Sequence, residues 1–189
     1  MEYQSKNDYL NKFKEINLSV NWLTILIGLE GPGKFEAKLT AKDVTNYAIS
    51  KVEKNNYIHE EVITIAGVYN GDTDLLIKCV KKLVGKEVHN KEVELKKWII
   101  VLLIDILKDI NQDPLYGLIQ LTEFWEKFDY PKFSPHIIQG VNNKISPKNY
   151  YTEKNFHNIL NLHHDWIKKE TELKLGMSLA NIPSGWKLT

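Results

Sequence analysis

Arginine is absent from this chain: all 25 basic residues are lysine. That absence excludes an arginine finger and any bidentate guanidinium clamp on phosphate, carboxylate or guanine. Against 24 acids the net charge is 25 − 24 = +1. Residues 1–95 carry 13 lysines and 14 acids, and residues 96–189 carry 12 and 10. Neither half offers the cationic surface that drives binding to nucleic acid, so a nucleic-acid partner is disfavoured. Cysteine occurs once, as Cys79, so no internal disulfide is possible. Its setting, LLIKCVKKLV, is an amphipathic helical pattern that reads as a buried, inert thiol, since a reactive one needs a cleft and a partner base. A reducing cytoplasm is the expected compartment. Long apolar runs are also missing. The longest, WIIVLLI at residues 98–104, falls far below the ~20 residues that span a bilayer. The opening segment MEYQSKNDYLNKFKE has no apolar stretch of the kind a secretory signal requires, so no membrane association is expected.

What remains is an ordinary globular composition, 43% hydrophobic and 11% aromatic over 189 residues. A chain of this length buries about 70% of the surface its unfolded form exposes. It therefore needs neither metal nor disulfide to fold, and a single domain over residues 1–189 is expected, with 177–189 as a tail.

The dominant hydrophobic period is helical. Tyr9, Leu10, Phe13 and Ile16 form a first short face. Ser19 is a candidate cap for a helix from Val20 to Leu29, and Gly31-Pro32-Gly33 interrupts the chain. Thr40 and Asp43 have capping-box spacing before a helix with Val44, Tyr47, Ala48 and Val52 on its apolar side, ended by Asn55-Asn56. A further helix is predicted from Ile58 to Tyr69, closed by Asn70-Gly71. Asp72 caps another over 73–84, with Gly85 at the left-handed position that follows many helices. The segment 90–110 is apolar all round at its middle, the mark of a central buried helix. Asp113-Pro114 is an N-cap and N1 pair opening a helix with Leu118, Leu121, Trp125 and Phe128 on one side, and Tyr130-Pro131 stops it. Residues 129–151 read as loop, with a short helix after Ser134-Pro135. Thr152 caps the last helix, whose stripe is Phe156, Ile159, Leu160, His163, Trp166, Ile167 and Leu173, ended by Gly176. The prediction is an all-α fold of about eight helices in antiparallel hairpins, forming a bundle or a short irregular α-solenoid.

Residues 28–35, GLEGPGKF, match G-x-x-x-x-G-K, the phosphate-cradling loop. In that reading Gly28 and Gly33 bring backbone N–H groups onto phosphates, Lys34 reaches their oxygens, and Asp105, after an apolar run, holds magnesium. The other reading is a helix, a Gly-Pro-Gly turn and a solvated Lys34. Four features favour the second. Phe35 stands where magnesium needs Ser or Thr; the next helix starts at Thr40 rather than at the lysine; no further strands are visible; and phosphate-holding arginines are lacking.

Of six histidines, His157, His163 and His164 lie close together. On one helix His163 falls on the apolar stripe, while His157 and His164 lie seven residues, about 10 Å, apart on the polar face. Bonds of about 2.0–2.1 Å to zinc do not bridge that gap. A hydrogen-bonded core His163 with two solvated neighbours is expected, with no metal and no cofactor. Acid pairs such as Glu60/Glu61 and Asp72/Asp74 sit at helix starts, where capping and the helix dipole account for them.

The strongest feature outside the core pattern is Phe124-Trp125-Glu126-Lys127-Phe128-Asp129-Tyr130-Pro131, followed by the loop to Tyr150-Tyr151. Aromatics around a loop suit a protein contact, with Trp125, Asp129, Tyr130, Tyr150 and Tyr151 as candidates. The other reading, which is favoured, is that Trp125, Phe128 and Tyr130 staple the loop to the core. An early Leu18-Ser19 with Trp22, Asp43-Val44 with Tyr47-Ala48, Trp98, Asp113-Pro114-Leu115, the Phe128-Asp129-Tyr130-Pro131 exit and Trp166 occur in this order. Together they make the chain similar, over about residues 18–173, to a family of small bacterial helical proteins catalogued as domain of unknown function twenty-two forty-seven. The resemblance implies an all-helical fold and no established chemistry. By analogy of type, such proteins resemble the immunity proteins of toxin systems, which bind and block a cognate toxin. The expected function is therefore protein binding, with a toxin as one kind of partner. The alternatives are a nucleotide-binding enzyme using Lys34 and a self-associating scaffold subunit.

Overall fold

The computed structural model describes residues 8–54, 59–68 and 72–175, with side chains as far as Glu172 in the last helix. The expected stops at Asn55-Asn56, Asn70-Gly71 and Gly176, the ends Ile58 and Tyr69, the burial of Leu173 and the tail 177–189 lie outside the described residues. Among those residues the chain forms nine helices and no strand: α1 (Tyr9–Glu15), α2 (Trp22–Glu30), α3 (Ala41–Lys54), α4 (Glu60–Ala66), α5 (Thr73–Val84), α6 (Lys91–Lys108), α7 (Pro114–Glu126), α8 (Pro147–Tyr150) and α9 (Glu153–Leu175). The all-α expectation holds. None of these helices is long and apolar enough to cross a membrane.

Two compact units divide the fold. The first takes the described residues up to Glu15 and Ser19–Ile99; the second takes Ile16–Leu18 and the chain from Ile100 onward.

In the first unit α3 packs on α4, α4 on α5, and α2 on α5. Trp98 is its centre: Phe13 meets the indole edge-on at 4.9 Å, Tyr9 lies 5.7 Å away, and the indole N–H donates to the Thr24 carbonyl at 2.9 Å. Helix α2 is capped by Asn21 rather than Ser19. The Asn21 Oδ1 accepts from the Thr24 N–H at 2.9 Å, and the Thr24 hydroxyl accepts from the Asn21 N–H at 3.2 Å. Asn is as good a cap as Ser, and here a residue at N3 can reciprocate. The same reciprocity was legible at Thr40 and Asp43, which exchange hydrogen bonds of 2.7 and 3.3 Å. Val52 is exposed rather than on a buried face. Gly85, expected in a left-handed conformation, has φ −66°; its N–H continues the helical pattern onto the Lys81 carbonyl at 3.1 Å, so no chirality demand selects glycine there.

Gly28 is a glycine that close packing requires. A Cβ on it would lie 2.4 Å from Trp98 Cζ2 and 2.7 Å from Leu39. Gly28→Ala is expected to lower stability by about 1–3 kcal/mol through overpacking. Urea denaturation checks this; an unchanged midpoint would contradict it.

In the second unit α7 and α8 each pack on α9. Gly117 approaches Phe156 while Trp125 meets His163 and Trp166, so α7 and α9 run in the same direction. The connection from residue 127 to 152 carries the chain back. The short helix expected after Ser134-Pro135 is not there. It forms after the second Ser-Pro pair, Ser146-Pro147, while Ser134 uses its hydroxyl to accept the His136 N–H at 3.1 Å. Thr152 caps α9 as its sequence predicts, accepting from the Asn155 N–H at 3.3 Å.

Candidate functional site

The site begins at Asp113. Its carboxylate accepts the N–H groups of Leu115 at 2.9 Å and Tyr116 at 3.2 Å, and Pro114 occupies the first turn. This start fixes the phase of α7, which turns Leu118, Leu121, Phe124 and Trp125 into the core. Trp125 is fully buried and its indole N–H donates to Nε2 of His163 at 2.9 Å. An indole only donates, so Nε2 accepts and the proton sits on Nδ1, which donates to the Ile159 carbonyl at 2.7 Å. His163 is thus a neutral, fully satisfied core histidine. Burial pushes its pKa down to about 4, and the neighbouring His164 pushes the same way.

His136, from the long connection, faces it with ring centres 5.4 Å apart. The Thr122 hydroxyl spends its proton on the Leu118 carbonyl at 2.8 Å, so His136 Nε2–H donates to that hydroxyl at 2.9 Å. Nδ1 of His136 is buried without a hydrogen-bond partner among the described residues. Burial, then the neighbouring His163, pushes this pKa down to about 3. The pairing of His136 with His163 had no sequence signal, because His136 lies in irregular chain with no period to place it.

Two more anchors hold the connection. Phe133 stacks on Trp166 with planes 7° apart at 6.1 Å. Tyr150 is buried, and its hydroxyl donates to the Ile137 carbonyl at 2.5 Å; burial pushes that phenol up to about 12. Of the five contact candidates, Trp125 and Tyr150 are therefore core and offer no surface; of the three rings in the stapling reading, Trp125 and Phe128 are buried and Tyr130 is exposed. Tyr151 is half-buried, its ring edge-on to Tyr150 at 4.9 Å.

Asp129 and Tyr130 are exposed. Helix α7 ends at Glu126, and the next residues close its end: the Asp129 N–H donates to the Glu126 carbonyl at 3.0 Å and the Tyr130 N–H to the Trp125 carbonyl at 3.1 Å. This closure puts Asp129 at φ 56° and Tyr130 at φ 48°. Both are left-handed, a region where glycine is at ease and a bulky side chain is strained. Strain of this kind collects where a surface has a use beyond stability.

The phosphate-loop residues do not form such a loop. Gly28 lies within α2, its carbonyl accepting the N–H groups of Lys38 at 2.8 Å and Leu39 at 3.1 Å. The run before it, expected as a strand in that reading, is helical, and so is the run before Asp105. Gly31 and Gly33 have φ 98° and 62°, which serve the turn, and Lys34 is exposed on it. Asp105 belongs to the second unit and is half-buried on α6. His157 is exposed, with Nδ1 2.9 Å from the Glu153 carbonyl oxygen, and His164 is half-buried. Among the described residues no three His, Cys, Asp or Glu side chains gather as a metal would need.

No curated protein and no solved structure matches the chain. A family model described as an uncharacterised protein conserved in bacteria matches residues 10–171, starting earlier than the sequence marks suggested. The chain therefore belongs to that bacterial family, domain of unknown function 2247 (DUF2247).

Proposed function

We propose that this protein works by binding another protein, in the manner of an immunity-type inhibitor that blocks a bacterial toxin. The observation that carries the reading is the exposed, left-handed Asp129-Tyr130 pair at the exit of α7. The Tyr130 N–H is tied to the carbonyl of the fully buried Trp125 and the Asp129 N–H to that of Glu126, so the pair is held on the end of α7. Rigid presentation of an aromatic beside a charge lowers the ordering cost of binding and suits a contact anchor. Sequencing the neighbouring genes and co-expressing this protein with a toxin found among them is the test. Rescue of growth and a complex on a sizing column are expected; no rescue together with no complex would sink the proposal.

A further inference from the structure

The outward side of α7 carries three large apolar side chains, Tyr116 at 59% exposure, Leu115 at 41% and Ile119 at 38%. At 100° per residue, Leu115 and Ile119 share one row with Glu126, and Tyr116 shares the next with Glu123. Both glutamates are exposed. The face is therefore apolar over its first half and acidic over its second, with the exposed Asp113 and Asp129 at its two ends. Over residues 113–130 the acids outnumber lysine by 4 to 1, a net charge of −3, in a half-chain whose own balance is 12 − 10 = +2.

The position of these acids works against the fold. Helix C-termini carry partial negative charge and favour cations. Yet the last turn of α7 holds Glu123 and Glu126 and no base, and Lys127 follows at the cap. Left-handed Asp129 and Tyr130 add strain at the same end. A stretch that gives up stability in two ways, next to solvated apolar side chains, is what a face shaped by a partner looks like.

We infer that the outer face of α7 is the docking surface for a cationic protein segment, whose apolar anchor packs on Leu115, Tyr116 and Ile119 and whose lysines or arginines meet Glu123 and Glu126. The inference rests on the protein-binding proposal and names the surface and the charge of its partner. Nucleic acid does not fit, because its phosphates would face carboxylates.

A labelled amphipathic leucine–lysine peptide, with a leucine–glutamine peptide as the neutral control, probes the face on the full chain. The cationic peptide is expected to bind, the neutral one about tenfold more weakly, with binding falling as salt rises. Glu123→Gln/Glu126→Gln and, separately, Ile119→Asn are each expected to weaken cationic binding about tenfold. The double variant should also melt about 2–4 °C higher, because it removes acids from a negative helix end. Glu53→Gln/Glu92→Gln removes the same charge from exposed positions on α3 and α6 and should leave binding unchanged. Equal binding by wild type and either α7 variant, or a lower melting temperature in the double variant, overturns the inference. A dimer on the sizing column that Ile119→Asn abolishes would make a second copy the occupant and overturns it too. Growth rescue that survives both α7 variants removes the docking surface and leaves the inhibitor reading standing. Failure of wild type both to rescue growth and to form a complex removes that reading, while the peptide titration still decides the surface.

Discussion

Lys97→Met is expected to destabilise the protein by about 3–5 kcal/mol, one of the largest single-residue effects in the chain. Lys97 and Glu94 are both buried in the first unit, with 2.8 Å between Nζ and Oε2. The ammonium also donates to the Ser19 carbonyl at 2.9 Å and the Ser19 hydroxyl at 3.1 Å, and the Thr24 hydroxyl donates to Glu94 at 2.5 Å. Two desolvated charges are tolerable here because each has its attraction and its hydrogen bonds satisfied. Removing the cation leaves a buried carboxylate with only Thr24 beside it. Glu94→Leu/Lys97→Met removes both charges together and is expected to recover most of the loss, since an apolar pair of similar volume matches a buried ion pair in stability. In the double variant the Thr24 hydroxyl still has Asn21 Oδ1 at 2.9 Å. Urea denaturation of wild type, single and double variants measures the coupling; a single variant within about 1 kcal/mol of wild type would show that the pair is solvated.

Acid is expected to unfold the second unit through its paired histidines. His136 and His163 titrate near 3 and 4 when folded, and near 6.5 when unfolded. Below about pH 6.5 the unfolded chain binds protons at both rings and the folded chain does not, so stability falls as pH falls. Each ring contributes a slope of about 1.4 kcal/mol per pH unit until its folded pKa is reached. Together they remove several kcal/mol between about pH 6 and pH 4. Above the unfolded value neither ring contributes any pH dependence. The carboxylate of Glu61, held low chiefly by its hydrogen bond from Lys86, is lost at acid pH in the same direction, so a variant is needed to assign the slope. His136→Leu should flatten the stability–pH curve over that interval by close to one proton. A curve parallel to wild type would show that the ring is not held neutral. His136 faces His163 and Thr122, and His163 faces Trp125 and the Ile159 carbonyl, so neither imidazole is paired with a carboxylate among the described residues.

Those two networks mark the limit of what could be read along the chain. His163 was placed in the core by its phase on α9, since it falls on the stripe with Phe156, Ile159 and Trp166. Trp125 is inside for the same reason, in step with Leu118 and Leu121, although its neighbours made it look like a contact residue. Helical phase is local, and a few apolar positions define it. Tyr130 is outside because α7 has already ended at Glu126, and a helix end is legible at Pro131. The burial of Tyr150 by the Ile137 carbonyl was not legible, nor was the meeting of His136 with His163, because an irregular segment has no period from which to infer a direction. Glu94 and Lys97 illustrate the same gap on a regular element. At three residues' spacing in the first turns of α6 nothing local marks them as dry, and their partners Thr24 and Ser19 come from 70 and 78 residues earlier. The Gly85 expectation failed because a glycine after a helix permits a left-handed turn without requiring one.

By itself the sequence determined the helical class, most helix starts, the inward stripes and the family, because periodicity and capping chemistry act over three or four residues. It also determined that the side chains that stay cationic at neutral pH are all lysine. Only the tertiary structure decided which polar side chains are dry, which aromatics are surface, and that α7 turns an apolar and acidic face outward. Burial depends on what chain arrives from elsewhere, and no local rule contains that information.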